Sequence, residues 1–357
     1  MARPTRAFID LTALRHNLQQ VKTCAPKSRI MAVIKANAYG HGAVRVANTL
    51  EADVDAFAVC GIEEALVLRE EGILKPIVLL EGFFQPQELP VIVNQDLQIV
   101  IHSPKQFEHL VRAKLSKPVD VWLKVDTGMH RLGFAPTEID PIYKLLKQKA
   151  PVAQPIRFMS HLYCADDCKN TITDQQTQIF TTLTNTIKTE ASLANSAGIL
   201  GWPHTHADWV RPGIMLYGVS PFINSIGEQE NLQPVMQLKS ALISVKRCHK
   251  GDSIGYSANW RCPQSMPIGI VAIGYADGYP RHAPSGTPVL VNGKRVPLVG
   301  RVSMDMITVD LRTQPNARVG DPVDLWGKNL PIEEIASLAG TIAYELLCNV
   351  SWRVKMS

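Results

Sequence analysis

The sequence predicts an α/β fold, an eight-stranded (β/α)8 barrel of the TIM type followed by a mostly antiparallel β domain. Three observations point there. The first part of the chain alternates short β-rich runs with longer amphipathic ones, the rhythm of parallel strands joined by crossover helices. No Gly-x-Gly-x-x-Gly fingerprint follows the first strand, and eight strand–helix units suit a closed barrel better than an open doubly wound sheet. From about Asn231 the texture changes to short Val/Ile-rich runs separated by Gly, Pro and Asn. A length of 357 residues suits two domains, and the expected division is a barrel over 1–230 and a β domain over 231–357.

Strands are expected near 31–35, 56–60, 77–81, 98–101, 120–125, 156–160, 192–195 and 213–217. The first is typical: Ala32, Val33 and Ile34 form an apolar run suited to a buried strand. Between strands lie helical patterns. From Thr12 to Lys22, Leu14, Leu18 and Val21 fall on one face, and the run from Gly61 is closed by Gly72. In the tail, Asn292-Gly293 between apolar flanks signals a hairpin within Pro288–Val296, and late helices are expected at 332–338 and 343–347.

Composition narrows the function. With 46% hydrophobic and 19% charged residues, and no apolar run of the roughly 18 needed to span a bilayer, no membrane role is expected. The N-terminus carries no secretory pattern, so a cytoplasmic location is expected. A net charge of +5 spread along the chain argues against nucleic acid and mildly favours anionic small molecules. Seven cysteines without a paired framework read as reduced thiols, and His161, Cys164 and Cys168 lack the second cluster a zinc site needs, so no metal is expected.

Polar residues at the strand exits mark where chemistry belongs in a barrel. Lys35 ends the first strand, Lys124 to Arg131 follow the fifth, Ser160-His161 end the sixth, Asn195-Ser196 end the seventh, and Arg211-Pro-Gly213-Ile214 enter the eighth. A lysine leaving a buried strand becomes a desolvated amine able to attack a carbonyl, although many strand-end lysines are only solvated charges. Ser196, Tyr39 and Tyr344 offer hydroxyls, and Gly213 and Ile214 backbone N–H groups, as neutral donors to a phosphate. Arg131 carries a planar guanidinium suited to clamping a carboxylate and a phenolic oxygen together.

The segment Met31-Ala-Val-Ile-Lys35-Ala-Asn-Ala-Tyr39-Gly-His-Gly42 resembles the cofactor-lysine motif of the alanine racemase family, pyridoxal-phosphate enzymes that interconvert L and D amino acids. Gly274-Tyr275-Ala-Asp-Gly-Tyr279-Pro and Gly300-Arg-Val-Ser-Met304-Asp305-Met are also close to family motifs, and the likeness runs from Arg15-His16-Asn17 to Tyr344. The resemblance implies pyridoxal 5'-phosphate held by Lys35, Tyr39, Arg131, His161, Asn195, Ser196, Arg211, Gly213, Ile214 and Tyr344. It implies that Arg211 faces the ring nitrogen and keeps it unprotonated, and that Lys35 serves one face of the substrate while Tyr256 serves the other.

The same resemblance gives Arg131, the Met304 backbone N–H and Tyr275 to the substrate, Asp305 to a supporting place and Lys124 to a carbamylated lysine. Tyr275 and Tyr344 narrow the entrance in the family, so alanine is the expected substrate, with D-alanine serving peptidoglycan or one enantiomer being catabolised. A head-to-tail homodimer, with the tyrosine donated across the interface, is expected too. A broader-specificity racemase and a decarboxylase on the same barrel are the alternatives. The decarboxylase is disfavoured because it usually gains from a carboxylate, not an arginine, at the ring nitrogen.

Overall fold

The structure, a computed structural model, describes residues 3–357. Strand β1 (Arg6–Ile9) comes first, and then β2 (Arg29–Val33), β3 (Ala56–Val59), β4 (Ile77–Leu79), β5 (Leu97–Ile101), β6 (Val121–Lys124), β7 (Arg157–Met159), β8 (Ala191–Ser192) and β9 (Trp209–Val210). Strands β2 to β9 pair in parallel in sequence order and close into a barrel, the seam being Ile30 against Val210. Their apolar runs are buried on both faces, as parallel strands covered by helices must be. Every residue of β3 and β4 is buried, and Phe57, Trp122 and Phe158 have no exposure, Phe158 packing edge-on against Tyr143 of the helix layer. The helices between them include Leu11–Cys24 and Ile62–Glu70, close to their expected spans.

The eighth barrel strand differs from expectation. It is β9 at 209–210, not 213–217, and Ile214–Tyr217 winds into a 3-10 turn closed by Leu216 N–H to the Gly213 carbonyl. Pro212 brings no N–H to a ladder, and its carbonyl instead accepts from Val33. Arg211 therefore leaves a strand rather than entering one, which puts it at the chemical end of the barrel. The seventh strand also stops early, because Asn195 turns its side chain back to cap the helix Ser196–Gly201 through Gly198 N–H at 3.0 Å.

Opposite that end, the starts of β2, β7, β8 and β9 carry a charged and aromatic plug. Glu190 pairs with Arg29 at 2.6 Å and Arg157 at 3.0 Å, while Arg29 lies over the Trp209 ring and Arg157 over Trp122. Burial alone would raise the Glu190 carboxyl, but hydrogen bonds from Arg29, Trp209 and Arg157 and the Arg29 charge hold it down at about 2.

The second compact unit comprises residues 3–14, 217–220 and 225–357. Its strands are β10 (Met236–Cys248), β11 (Ser253–Ile254), β12 (Trp260–Arg261), β13 (Met266–Val271), β14 (Pro288–Val291), β15 (Lys294–Pro297), β16 (Ile307–Asp310), β17 (Pro322–Trp326) and β18 (Lys355–Met356). The long β10 organises it, pairing antiparallel with β1, β13 and β17. Asn292 and Gly293, both with positive φ, turn β14 into β15 as the sequence predicts. Helices Ile332–Leu338 and Ala343–Cys348 follow expectation. The sequence reading did not anticipate β1, a four-residue strand too short to carry a pattern of its own. Among the described residues, no helix is long and apolar enough to cross a membrane.

Candidate active site

Lys35 stands half-buried just beyond β2, where Ile34 N–H still bonds the Ala58 carbonyl at 2.9 Å. The next four residues, Ala36, Asn37, Ala38 and Tyr39, take φ between 51° and 54°. Each left-handed L-residue costs roughly 1–2 kcal/mol, so the turn must be held from outside. Glu64 does part of this, accepting Ala36 N–H at 2.6 Å and Cys60 N–H at 2.7 Å with its two oxygens. Asn37 Oδ1 accepts Ala43 N–H at 2.8 Å, and buried His41 donates from Nδ1 to the Ala38 and Tyr39 carbonyls. Burial lowers the His41 imidazole to about 4 against the raising effect of those bonds, so it is a neutral, fixed donor.

Tyr39, Ser196 and Gly213 meet at one point. A Cβ on Gly213 would lie 2.7 Å from the Tyr39 hydroxyl. The buried Ser196 hydroxyl accepts Gly213 N–H at 2.9 Å and Met215 N–H at 3.3 Å, which leaves its own proton to give away. Ile214 lies between those two N–H donors, and Asn195, besides capping, gives an N–H to the Leu162 carbonyl at 3.2 Å.

Arg211 is buried and almost fully spoken for. Nη1 donates to Ser192 Oγ at 2.6 Å, and Nη2 to the Ser160 carbonyl at 2.6 Å, the Leu193 carbonyl at 3.1 Å and His161 Nδ1 at 3.4 Å. Burial brings its guanidinium down to about 10, still protonated at neutral pH. His161 is pushed well below its ordinary range by burial first and then by Lys124, Arg211, Arg131 and Lys35. A neutral ring accepting at Nδ1 carries its proton on Nε2, so His161 is a donor on its free side. Lys124 is also driven well below the usual lysine range, by burial and then by Arg211 and Arg131. A lysine held in this way gives up its proton far more readily than a solvated one, and so is a better nucleophile.

Buried Gln176 holds the loops of this mouth. Nε2 donates to Thr127 Oγ1 at 2.9 Å and the His161 carbonyl at 3.0 Å, Oε1 accepts Tyr163 N–H, and Thr127 meets Ser160 Oγ at 2.9 Å. Gln176, Ser192, Glu64 and His41 escaped the sequence reading, since each matters only through a neighbour distant in sequence or through an unusual turn. Lys35, Arg131 and Arg211 are all near enough to Lys124 and His161 to lower them, whereas Arg131 itself is exposed.

The remaining candidates lie in the β unit. Tyr256 follows Gly255, whose φ of 73° and closeness to Arg301 fix the turn, and it is 65% exposed. Tyr275 N–H bonds the Ser303 carbonyl and Ala276 N–H the Met304 carbonyl, so the Gly274 and Met304 segments lie together. Tyr275 is 40% and Met304 52% exposed, and Tyr344 is half-buried on its helix. Asp305 accepts Arg353 Nη2 at 2.6 Å and, through its carbonyl, Arg3 Nη2 at 2.6 Å; both arginines also pair with buried Asp277.

Comparison with known proteins adds an independent line. Residues 9–221 match the family described as alanine racemase, N-terminal domain, and 235–357 the alanine racemase, C-terminal domain. The alanine racemase of Vibrio cholerae serotype O1 is 53% identical over 98% of this chain and 97% of its own. That of Coxiella burnetii strain CbuG_Q212 is 51% identical over 98% and 97%. Among solved structures, the biosynthetic alanine racemase of Pseudomonas aeruginosa superposes with a TM-score of 0.96 at 45% identity, and that of Acinetobacter baumannii with 0.93 at 39%, each over 99% of both chains. On this sequence and fold together, the chain belongs to the alanine racemase family.

Proposed function

We propose that the chain interconverts L- and D-alanine with pyridoxal 5'-phosphate, in a homodimer whose sites are shared between subunits. The observation that carries the reading is the convergence of Lys35, Arg211 and the Tyr39–Ser196–Gly213 cluster at the exits of β2, β8 and β9. The donor set fits the cofactor. The hydroxyls of Tyr39 and Ser196, brought together beside Gly213 with no side chain between them, suit a phosphate better than a bulky organic group. When bound, the cofactor supplies an electron-withdrawing ring that acidifies the α-proton of an attached amino acid.

The chain's residues do the rest. Lys35 would hold the cofactor, and its amine moves a proton at one face of the α-carbon. Tyr256, supplied by a second copy of the chain, moves it at the other, because a single base returns the proton to the side it left. Ser196, Tyr39, Tyr344, Gly213 and Ile214 hold the phosphate. Arg211, cationic at neutral pH, keeps the ring nitrogen unprotonated, and His161 and Asn195 steady the surroundings. Arg131 and the Met304 N–H hold the substrate carboxylate, Tyr275 and Tyr344 restrict the side chain to little beyond a methyl, and Asp305 supports the Met304 segment.

Lys124, its pKa lowered by burial and by Arg211 and Arg131, adds as the free amine to carbon dioxide. The new N–C bond releases one proton, and the carbamate anion orients Arg131. A D-alanine-supplying role in a cytoplasmic enzyme follows from the family reading. The test is incubation of the holoenzyme with L-alanine in deuterated water. D-Alanine labelled at the α-carbon is expected, and absence of both product and label overturns the proposal.

A further inference from the structure

Two cysteines meet in the β unit. Cys248 ends β10, and Cys262 directly follows β12. Cys262 is 2% exposed in a small apolar cluster with Ile254, Met266 and Ile268, and half-buried Cys248 packs against that cluster. Cys248 stands near enough to Cys262 to perturb its thiol. The backbone fixes the approach: Gly251 N–H donates to the Cys262 carbonyl at 2.8 Å and Cys262 N–H to the Asp252 carbonyl at 2.9 Å. A disulfide forms only where the two backbones already stand within several ångströms; this register sets Cys262 beside the turn that follows Cys248, and both side chains pack in one cluster. The closed segment, 249–261, carries Tyr256 at its tip.

We propose that Cys248 and Cys262 are an oxidisable dithiol whose disulfide closes the 249–261 segment at its base. The oxidant is hydrogen peroxide. The more accessible Cys248, as thiolate, attacks one peroxide oxygen, so that the O–O bond breaks and the departing oxygen leaves as water after taking up a proton. The sulfur of Cys262 then attacks the resulting sulfenic sulfur, loses its proton and releases a second water as the S–S bond forms. Two thiols lose two electrons and the peroxide gains them. Burial and the neighbouring Cys248 push the Cys262 thiol up, which disfavours Cys262 as the first thiol to meet the peroxide and leaves that step to Cys248.

The test is peptide mapping of the full-length protein after hydrogen peroxide treatment and alkylation of the remaining thiols. A Cys248–Cys262 linked pair is expected, about 2 Da below the sum of the reduced peptides, removed by dithiothreitol and accompanied by slower amide exchange over 249–261. In Cys262→Ser the reaction is expected to stop at a Cys248 sulfenic acid that dimedone traps. The proposal is overturned if wild-type Cys248 is carried to the sulfinic acid without a linked pair, if it is linked to another cysteine, or if it stays unmodified while other thiols react.

Discussion

At position 213 a hydrogen is all that the space allows, because the Tyr39 hydroxyl stands 2.7 Å from where a methyl would go. Gly213→Ala is therefore expected to displace Tyr39 and weaken pyridoxal phosphate binding about tenfold or more, near 1.4 kcal/mol. Absorbance titration of the apoenzyme checks this, and an unchanged Kd would separate the Tyr39–Gly213 contact from cofactor binding. Ser192→Ala removes the acceptor of Arg211 Nη1. A buried guanidinium losing a partner costs roughly 1–3 kcal/mol, so a lower Tm is expected together with a shifted cofactor absorption band; a Tm change alone would make Ser192 merely structural. What could be read from the sequence at this scale were residues whose type is out of place at a strand exit, such as Lys35, Ser196 and Arg211. Ser192, Gln176 and Glu64 could not be read, because a serine, a helical glutamine and a helical glutamate acquire meaning only from what folding sets beside them.

The turn after β2 and the plug at the other end of the barrel pull in opposite directions. Ala36, at φ 52°, is strained for an L-residue, and its N–H is held by Glu64. Ala36→Gly is expected to leave Tm unchanged or raise it by a degree or two, since relieved strain roughly offsets glycine's entropy. The same change is expected to lower kcat several-fold by loosening the segment next to Lys35. A fall in both Tm and kcat would mean the strain is not where activity is set. In the plug, Glu190 has its carboxyl depressed from 4.5 to about 2. The stability it contributes is thus fully present above its unfolded value and is lost as pH falls towards the folded one. Glu190→Gln is expected to lower Tm at neutral pH by roughly 2–4 °C and to flatten the acid side of the Tm–pH curve; parallel curves for the two proteins would place the acid lability elsewhere. The barrel strands were legible because apolar runs between helices are long-range consistent. The eighth was not, since it lies at Trp209–Val210 and the backbone of Arg211-Pro212-Gly213 is committed to neighbours rather than to a further stretch of ladder.

Across the whole molecule, the proposed chemistry needs residues from two compact units, Lys35 in one and Tyr256 in the other. The change of texture near Asn231 revealed that a second unit exists, but β1 belongs to that unit through its pairing with β10, a contact no local pattern announces. Shared sites have a direct consequence for mixed subunits. Lys35→Ala and Tyr256→Ala proteins, each inactive, are expected to regain part of the wild-type activity after subunit exchange, because one site in each hybrid keeps both groups. Continued inactivity despite proven exchange would argue for sites built within one chain. The central claim, that Lys35 and Tyr256 work on opposite faces of one carbon, is tested most directly by solvent-deuterium exchange at the α-carbon in Tyr256→Phe holoenzyme. Exchange should persist for one enantiomer of alanine and collapse for the other, whereas equal exchange from both, at wild-type or at reduced rate, contradicts the two-base account.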